Sequence, residues 1–305
     1  MSYFEAIILG IVQGLTEFLP VSSSGHLRIV PELFGWGDPG ASFTAIIQLG
    51  TMAAVVIFFW SDLWRIFLAW CKDALRVGRA IVTRSRFRDQ PSTDDARMGW
   101  YLIVATIPIS LFGLAFKDQI ETGARDLRLI SATLIIGGLI LLWADKVGKR
   151  TKGIEHVATK DGVAIGVAQS LALVPGVSRS GATISAGMFL GFTREAAARF
   201  SFLLSIPAVV LSGVFSLKDV GTCSVGAGPT LVATVVSFVV GFAAISWFLR
   251  FLTGHSFVPF VVYRVGLGVL LIVLLAAGRI DAKPNDACIS SPSSAAAVPT
   301  VVAPR

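Results

Sequence analysis

The chain has 305 residues, of which 54% are hydrophobic and only 15% charged, and its net charge is +7. Soluble domains hold about 25% charged residues, so a large soluble enzyme is excluded and an all-α polytopic membrane protein is expected. The positive balance is assigned to loops beside membrane helices, where basic residues gather on the cytoplasmic side. No nucleic acid is expected as a partner.

Residues 3–30 are apolar but broken near the middle by Pro20 and Gly25. Each half is too short to cross a hydrocarbon core of about 30 Å. The stretch reads as a re-entrant hairpin: one helix enters, a polar loop turns at membrane depth, and a second helix leaves on the same side. No cleavable signal is expected, because the first apolar run lacks a basic start and contains Glu17. Three crossings follow, near 41–60, 98–116 and 128–144. Residues 160–190 repeat the first form, broken at Pro175-Gly176 and Gly181, and three more crossings are expected near 196–217, 229–250 and 259–278. The tail, 281–305, is rich in Ala, Pro and Ser and is expected to be disordered. Cys71, Cys223 and Cys288 form no CxxC pair and no metal spacing.

Residues 1–150 and 151–280 thus read as two inverted repeats, each a re-entrant helical hairpin plus three transmembrane helices. The stretches Gln13–Gly25 and Gln169–Gly181 are equal in length and both end in Ser-x-Ser-Gly. In that alignment Ser22 faces Ser178, Ser24 faces Ser180, and Ser23 faces Arg179. An odd number of crossings per unit inverts the second unit, and inverted repeats hold anionic substrates where broken helices meet at the midplane. The loop expected over 61–97 carries eight Lys or Arg, and the loop over 145–160 carries Lys146, Lys149, Arg150, Lys152 and Lys160. That side is expected to be cytoplasmic, so the first hairpin opens outward and the second inward. Trp60, Trp64, Trp70, Trp100 and Trp143 are read as interfacial anchors, and Arg264 is expected to snorkel to the interface, the alternative being a phosphate contact.

The polar residues of the two breaks carry the chemistry. Gln13 and Glu17 share a helix face at i and i+4, and a carboxylate in a membrane is usually functional; the alternative is a hydrated, idle Glu17 near the interface. Ser22, Ser23 and Ser24 precede Gly25 and His26. A half-helix starting there offers free N–H groups to an anion, although a serine can serve simply as an N-cap. Ser23 and His26 are spaced to meet on a helical turn, the minimum for a base-activated nucleophile; a lone His in apolar surroundings is otherwise a satisfied core residue. Arg179, between Ser178 and Ser180, needs an anionic partner, and guanidinium suits phosphate; the alternative is a structural pair with Glu17. Thr183 adds a hydroxyl one turn on, or is an ordinary helix threonine. Together these groups suit phosphoryl transfer, which depends on positioning and charge stabilisation.

The motifs QGLTEFLPVSSSGH at 13–26 and PGVSRSGAT at 175–183 resemble those of the undecaprenyl-diphosphate phosphatase family, the bacitracin-resistance proteins. The hydropathy of the chain to about residue 280 fits as well; the tail lies outside the resemblance. It implies hydrolysis of a C55 isoprenyl diphosphate to the monophosphate in the bacterial cytoplasmic membrane, with Mg2+ or Ca2+. It also implies Glu17, Ser23, His26, Ser178, Arg179, Ser180 and Thr183 as active-site residues. Glu17 and Gln13 are the expected metal ligands; the family often has Glu at Gln13, which puts a strict two-carboxylate site in question. On this reading Ser23 attacks the terminal phosphorus and His26 takes its proton, with His26 or water as alternative nucleophiles. Ser22, Ser24, Ser178, Ser180 and Thr183 bind substrate, and the site opens to the periplasmic or outer face. Membrane lipids are expected partners and a homodimer is left open. The rival reading is a transporter or flippase of a polyprenyl phosphate, which needs binding groups but no nucleophile.

Overall fold

The computed structural model describes residues 1–83, 92–116, 125–216 and 225–283. Cys223, Cys288 and all of the tail beyond residue 283 lie outside them. The described chain is all-helical: α1 Tyr3–Phe18, α2 Ser23–Phe34, α3 Gly40–Phe58, α4 Trp60–Thr83, α5 Asp94–Ala115, α6 Leu127–Val147, α7 Thr159–Ser170, α8 Arg179–Phe189, α9 Arg194–Ser216, α10 Ala227–Leu252 and α11 Val258–Ala276. Two 3-10 turns, Ile154–His156 and Leu171–Leu173, flank α7. No strand occurs among the described residues.

Four helices, α5, α6, α10 and α11, are long and apolar enough to cross a membrane, and α3 with α4, bent by 78°, adds a fifth candidate; much of the loop expected over 61–97 is thus helical, because apolar and charged residues alternate along it at helical spacing. The chain is a multi-pass membrane protein. Its outward surfaces carry bare apolar side chains, among them Leu111, Ile136, Leu231 and Val262, as a lipid-facing surface requires. The helix expected near 196–217 is α9, described to Ser216. Its Ala198, Phe200, Phe202 and Leu204 are all buried, so it lies inside the bundle.

Both broken segments fold as helical hairpins. In the first, Ser2 and Glu5 close a capping box that starts α1. Phe4 packs on Trp36 with ring centroids 6.3 Å apart, so the chain enters and leaves this hairpin at one end. In the second, the amides of Thr151 and Lys152 donate to the carbonyl of Gly191, at 2.9 and 3.0 Å. The approach to α7 and the exit from α8 are thereby tied together. The open ends of the hairpins lie at opposite ends of α6. Leu127, at its start, donates to Ala282, whose neighbour Asp281 donates to Glu32 of α2. Asp145, near its finish, accepts two bonds from Arg194 at 2.6 and 3.1 Å.

Packing sets the depth of the two tips. α1 lies chiefly on α10, α7 on α5, and α6 on α11. Glycines permit the close approach: a Cβ on Gly10 would stand 2.6 Å from the carbonyl oxygen of Ala233. A core of Phe18, Phe59, Phe202 and Phe248 lies next to the tips, with the Phe18 and Phe202 rings edge to face at 5.3 Å.

Candidate active site

The two hairpin tips share one local design. α1 ends at Phe18, and the chain turns through Leu19 and Pro20 to Ser22, the N-cap of α2. The second tip turns through Pro175 and Gly176 to Ser178, the N-cap of α8. Ser22 and Ser178 adopt φ of 75° and 73°, left-handed values that cost a non-glycine residue about 1–3 kcal/mol. Cap bonds offset this: Ser22 Oγ accepts from the Gly25 amide at 3.4 Å and Ser178 Oγ from the Gly181 amide at 3.1 Å. Each cap also meets the serine two residues on, Ser24 at 3.4 Å and Ser180 at 3.2 Å. Ser180 Oγ then donates to the carbonyl of Leu19 at 3.0 Å, joining the tips.

Glu17 is where they converge. Its Oε1 accepts from Arg179 Nη2 at 2.8 Å and from Gln48 Nε2 at 3.3 Å. Its Oε2 accepts from Ser23 Oγ at 2.6 Å and from Gln13 Nε2 at 3.2 Å. A carboxylate out of water needs this many donors, and they come from α1, α2, α3 and α8. Two buried atoms beside it have no partner among the described residues, Gln13 Oε1 and Arg179 Nη1. A crevice at Glu17 and Arg179, too narrow here to admit water, is lined by Gln48, Thr51 and Ser205 and by the apolar Phe18, Met52, Val55 and Val209.

His26 is held elsewhere. Its Nδ1 lies 2.7 Å from the carbonyl of Ser22 and its Nε2 2.7 Å from the hydroxyl of Tyr263. The expected hydrogen bond between Ser23 and His26 is therefore replaced: the serine hydroxyl donates to Glu17 instead. The cause is local, since a buried imidazole one turn into α2 finds the carbonyl of the N-cap residue within reach, and that oxygen, which also accepts the His26 amide at 3.2 Å, has a second lone pair to offer.

Residues 6–270 match the family described as bacitracin resistance protein BacA. The chain belongs to that family. Among curated relatives, the undecaprenyl-diphosphatase of Nocardioides sp. is 54% identical over 284 residues, covering 92% of this chain and 100% of the relative. That of Mycolicibacterium smegmatis is 53% identical over 288 residues, covering 93% and 100%. Undecaprenyl-diphosphatase 2 of Streptomyces coelicolor is 50% identical over 294 residues, covering 92% and 97%.

Within this BacA-family framework the other site candidates take different positions. Ser24 is exposed. Thr183 is buried behind the cleft, its hydroxyl on the carbonyl of Arg179 at 2.9 Å and against Ser201 Oγ at 2.6 Å, so it braces α8 against α9. Arg264 does not snorkel. It is fully buried and donates to the carbonyls of Pro20, Gly176 and Val177 at 3.1, 3.1 and 2.9 Å, and to Thr133 and Leu134, both at 3.3 Å. The tip loops leave the carbonyls of Pro20, Gly176 and Val177 without helical partners, and a guanidinium has enough donors to serve them and to reach α6 at Thr133 and Leu134 as well. Gln48 and Thr51 escaped the sequence reading although both are polar residues in the charge-free stretch 41–61. Their spacing of three, one face of a helix, was the available signal.

Proposed function

We propose that this protein hydrolyses undecaprenyl diphosphate to undecaprenyl phosphate and inorganic phosphate, returning the lipid carrier to cell-wall synthesis and conferring bacitracin resistance. The relatives, named undecaprenyl-diphosphatases, support the reaction. The observation that carries it to these residues is Glu17 bonded at once to Ser23 and Arg179, at 2.6 and 2.8 Å, at the tips of two hairpins inside the bundle. A carrier needs a binding arginine, but not a hydroxyl held on a carboxylate.

The steps follow from the donors. The diphosphate parts Arg179 from Glu17 and takes the guanidinium, whose Nη1 is already without a partner. Two helix N-termini, α2 and α8, add backbone donors for the phosphate oxygens. Ser23 Oγ attacks the terminal phosphorus while its proton passes to Glu17 Oε2, and the bridging P–O bond breaks to release the lipid monophosphate. Water then attacks the phosphoserine, His26 takes the water's proton, and inorganic phosphate leaves as Ser23 regains a proton.

A divalent ion, Mg2+ or Ca2+, fits as a group shared with substrate. Glu17 supplies a carboxylate and Gln13 an unpartnered buried Oε1, while the described residues hold no cluster of three or more His, Cys, Asp or Glu. One or two protein oxygens plus substrate phosphates are the usual setting for Mg2+. When bound, the ion neutralises charge on the diphosphate.

The reading includes two inverted repeats, 1–150 and 151–280, in the bacterial cytoplasmic membrane, with the first hairpin open to the periplasmic or outer face. Three features support it: the matching caps at Ser22 and Ser178, the hairpins opening at opposite ends of α6, and the swapped pairings of α1 with α10 and α7 with α5. The side bearing Arg65, Lys146, Arg150 and Lys152 is then cytoplasmic.

The test is phosphate release from C55 diphosphate by the purified protein in detergent, with and without chelator, and acid-quench trapping of labelled enzyme. Ser23→Ala and Glu17→Gln are expected to abolish release, and label to be found on Ser23. Undiminished release by both variants overturns the assignment, and so does label on His26.

A further inference from the structure

Tyr263 belongs to no motif of the two hairpins. It stands on α11, half exposed on the outer surface, yet its hydroxyl reaches the buried imidazole of His26 at 2.7 Å. The two rings lie nearly parallel, at 11°, with centroids 5.5 Å apart. The partners fix the protons. The carbonyl of Ser22 can only accept, so Nδ1, 2.7 Å away, carries the hydrogen. A neutral imidazole has one N–H, so Nε2 is the acceptor and Tyr263 the donor.

We propose that Tyr263 is a positioning residue for His26: it holds the ring in the Nδ1–H tautomer and keeps the Nε2 lone pair directed to where a water molecule, donating in place of the tyrosine, meets it. Bonds on opposite sides of the ring leave it no freedom to turn. The tyrosine is itself well fixed, because its neighbour Arg264 ties α11 to the carbonyls of Pro20, Gly176 and Val177. α2 and α11 meet through side chains: Ile29 and Leu271 lie in one buried apolar cluster, and His26 and Tyr263 add a polar contact. The hydroxyl is a replaceable donor there: an arriving group displaces it and finds the lone pair already aligned. This rests on the hydrolase reading, in which His26 acts on the second, hydrolytic step.

The chain has three histidines, so protein labelled with 15N-histidine gives a readable spectrum, and His26→Gln identifies the His26 signals. The wild type is expected to show a protonated Nδ1 and an unprotonated, hydrogen-bonded Nε2. Tyr263→Phe keeps the ring and removes the donor; it is expected to shift the Nε2 signal, lower kcat about tenfold through lost alignment and leave KM within about twofold. An Nε2–H tautomer in the wild type overturns the proposal, and so does a Tyr263→Phe protein with unchanged His26 signals and unchanged kcat. If the hydrolase reading alone were wrong, the wild type would release no phosphate while the tautomer and its response to Tyr263→Phe stood as stated.

Discussion

Glu17 and Arg179 are 162 positions apart in the chain and meet at 2.8 Å. Their side chains are only 7% and 15% exposed, and each comes from a different hairpin. The pair is the electrostatic weld between the two tips and, on the proposed function, the contact that substrate must open.

Removing one partner of such a pair leaves the other charge buried, at a cost of about 3–5 kcal/mol. Arg179→Gln and Glu17→Gln are therefore each expected to lower the thermal midpoint in detergent. The double variant should lose less than the sum, because it buries no lone charge. Arg179→Lys keeps the charge but not the fork and should retain fold while losing about a hundredfold in phosphate release. Additive midpoint losses in the double-mutant cycle would show that the contact has no coupling energy.

The hairpins were legible in the sequence because their breaks are chemical: Pro20, Pro175, Gly176 and the Ser-x-Ser-Gly runs interrupt apolar chain that otherwise has no reason to stop. Glu17 and Arg179 were legible as members of one site because each buried charge needs a partner, but their direct ion pair stood only as the alternative to a phosphate on Arg179. The fine pairing was not. Helical spacing allowed Ser23 to meet His26, but spacing along one helix cannot weigh a partner on another, and Glu17 and Tyr263 are such partners. Arg264 was misread for the same reason. Its acceptors are five carbonyls spread over three segments, and main-chain acceptors leave no trace in residue identity.

Arg264 is expected to be needed for the architecture of the tips more than for any charge in the cleft. Arg264→Met should leave the freed carbonyls of Pro20, Gly176 and Val177 buried without donors, at about 1–3 kcal/mol for each unsatisfied group. Arg264→Lys supplies fewer, less spread donors and should recover only part. Limited proteolysis and thermal melting of membrane-inserted protein would report this: both variants should open earlier than the wild type, methionine more than lysine. Equal resistance of all three would contradict the bracing role.

Gln13 offers a gain-of-charge test of the metal proposal. Its Nε2 donates to Glu17 and its Oε1 is unpartnered. Gln13→Glu replaces a neutral ligand with a second carboxylate, and affinity for hard cations rises with ligand charge. The variant is expected to need about tenfold less Mg2+ for half-maximal phosphate release. Without the ion it should be less stable than the wild type, because two carboxylates then crowd one site. A metal titration alongside melting with and without chelator separates these effects. An unchanged Mg2+ requirement would move the ion away from Gln13 and Glu17.

The close approach of the hairpins to their supporting helices can be probed through glycines. A Cβ on Gly10 of α1 would stand 2.6 Å from the carbonyl oxygen of Ala233, and one on Gly166 of α7 would stand 2.6 Å from the Cα of Ala105. Backbone atoms cannot yield as a flexible side chain does, so the helices must separate. Overpacking of this kind costs about 1–3 kcal/mol, against about 1 kcal/mol that alanine gains over glycine in a helix. Gly266 of α11 is the control, because nothing lies within 4 Å of its Cβ position; there only the helix gain remains. Gly10→Ala and Gly166→Ala are thus expected to lower the thermal midpoint and phosphate release together, by similar amounts, whereas Gly266→Ala should leave both unchanged or raise the midpoint. If one hairpin glycine tolerated alanine and the other did not, the two tips would not be held at depth by equivalent contacts, and the inverted-repeat proposal would lose one of its supports.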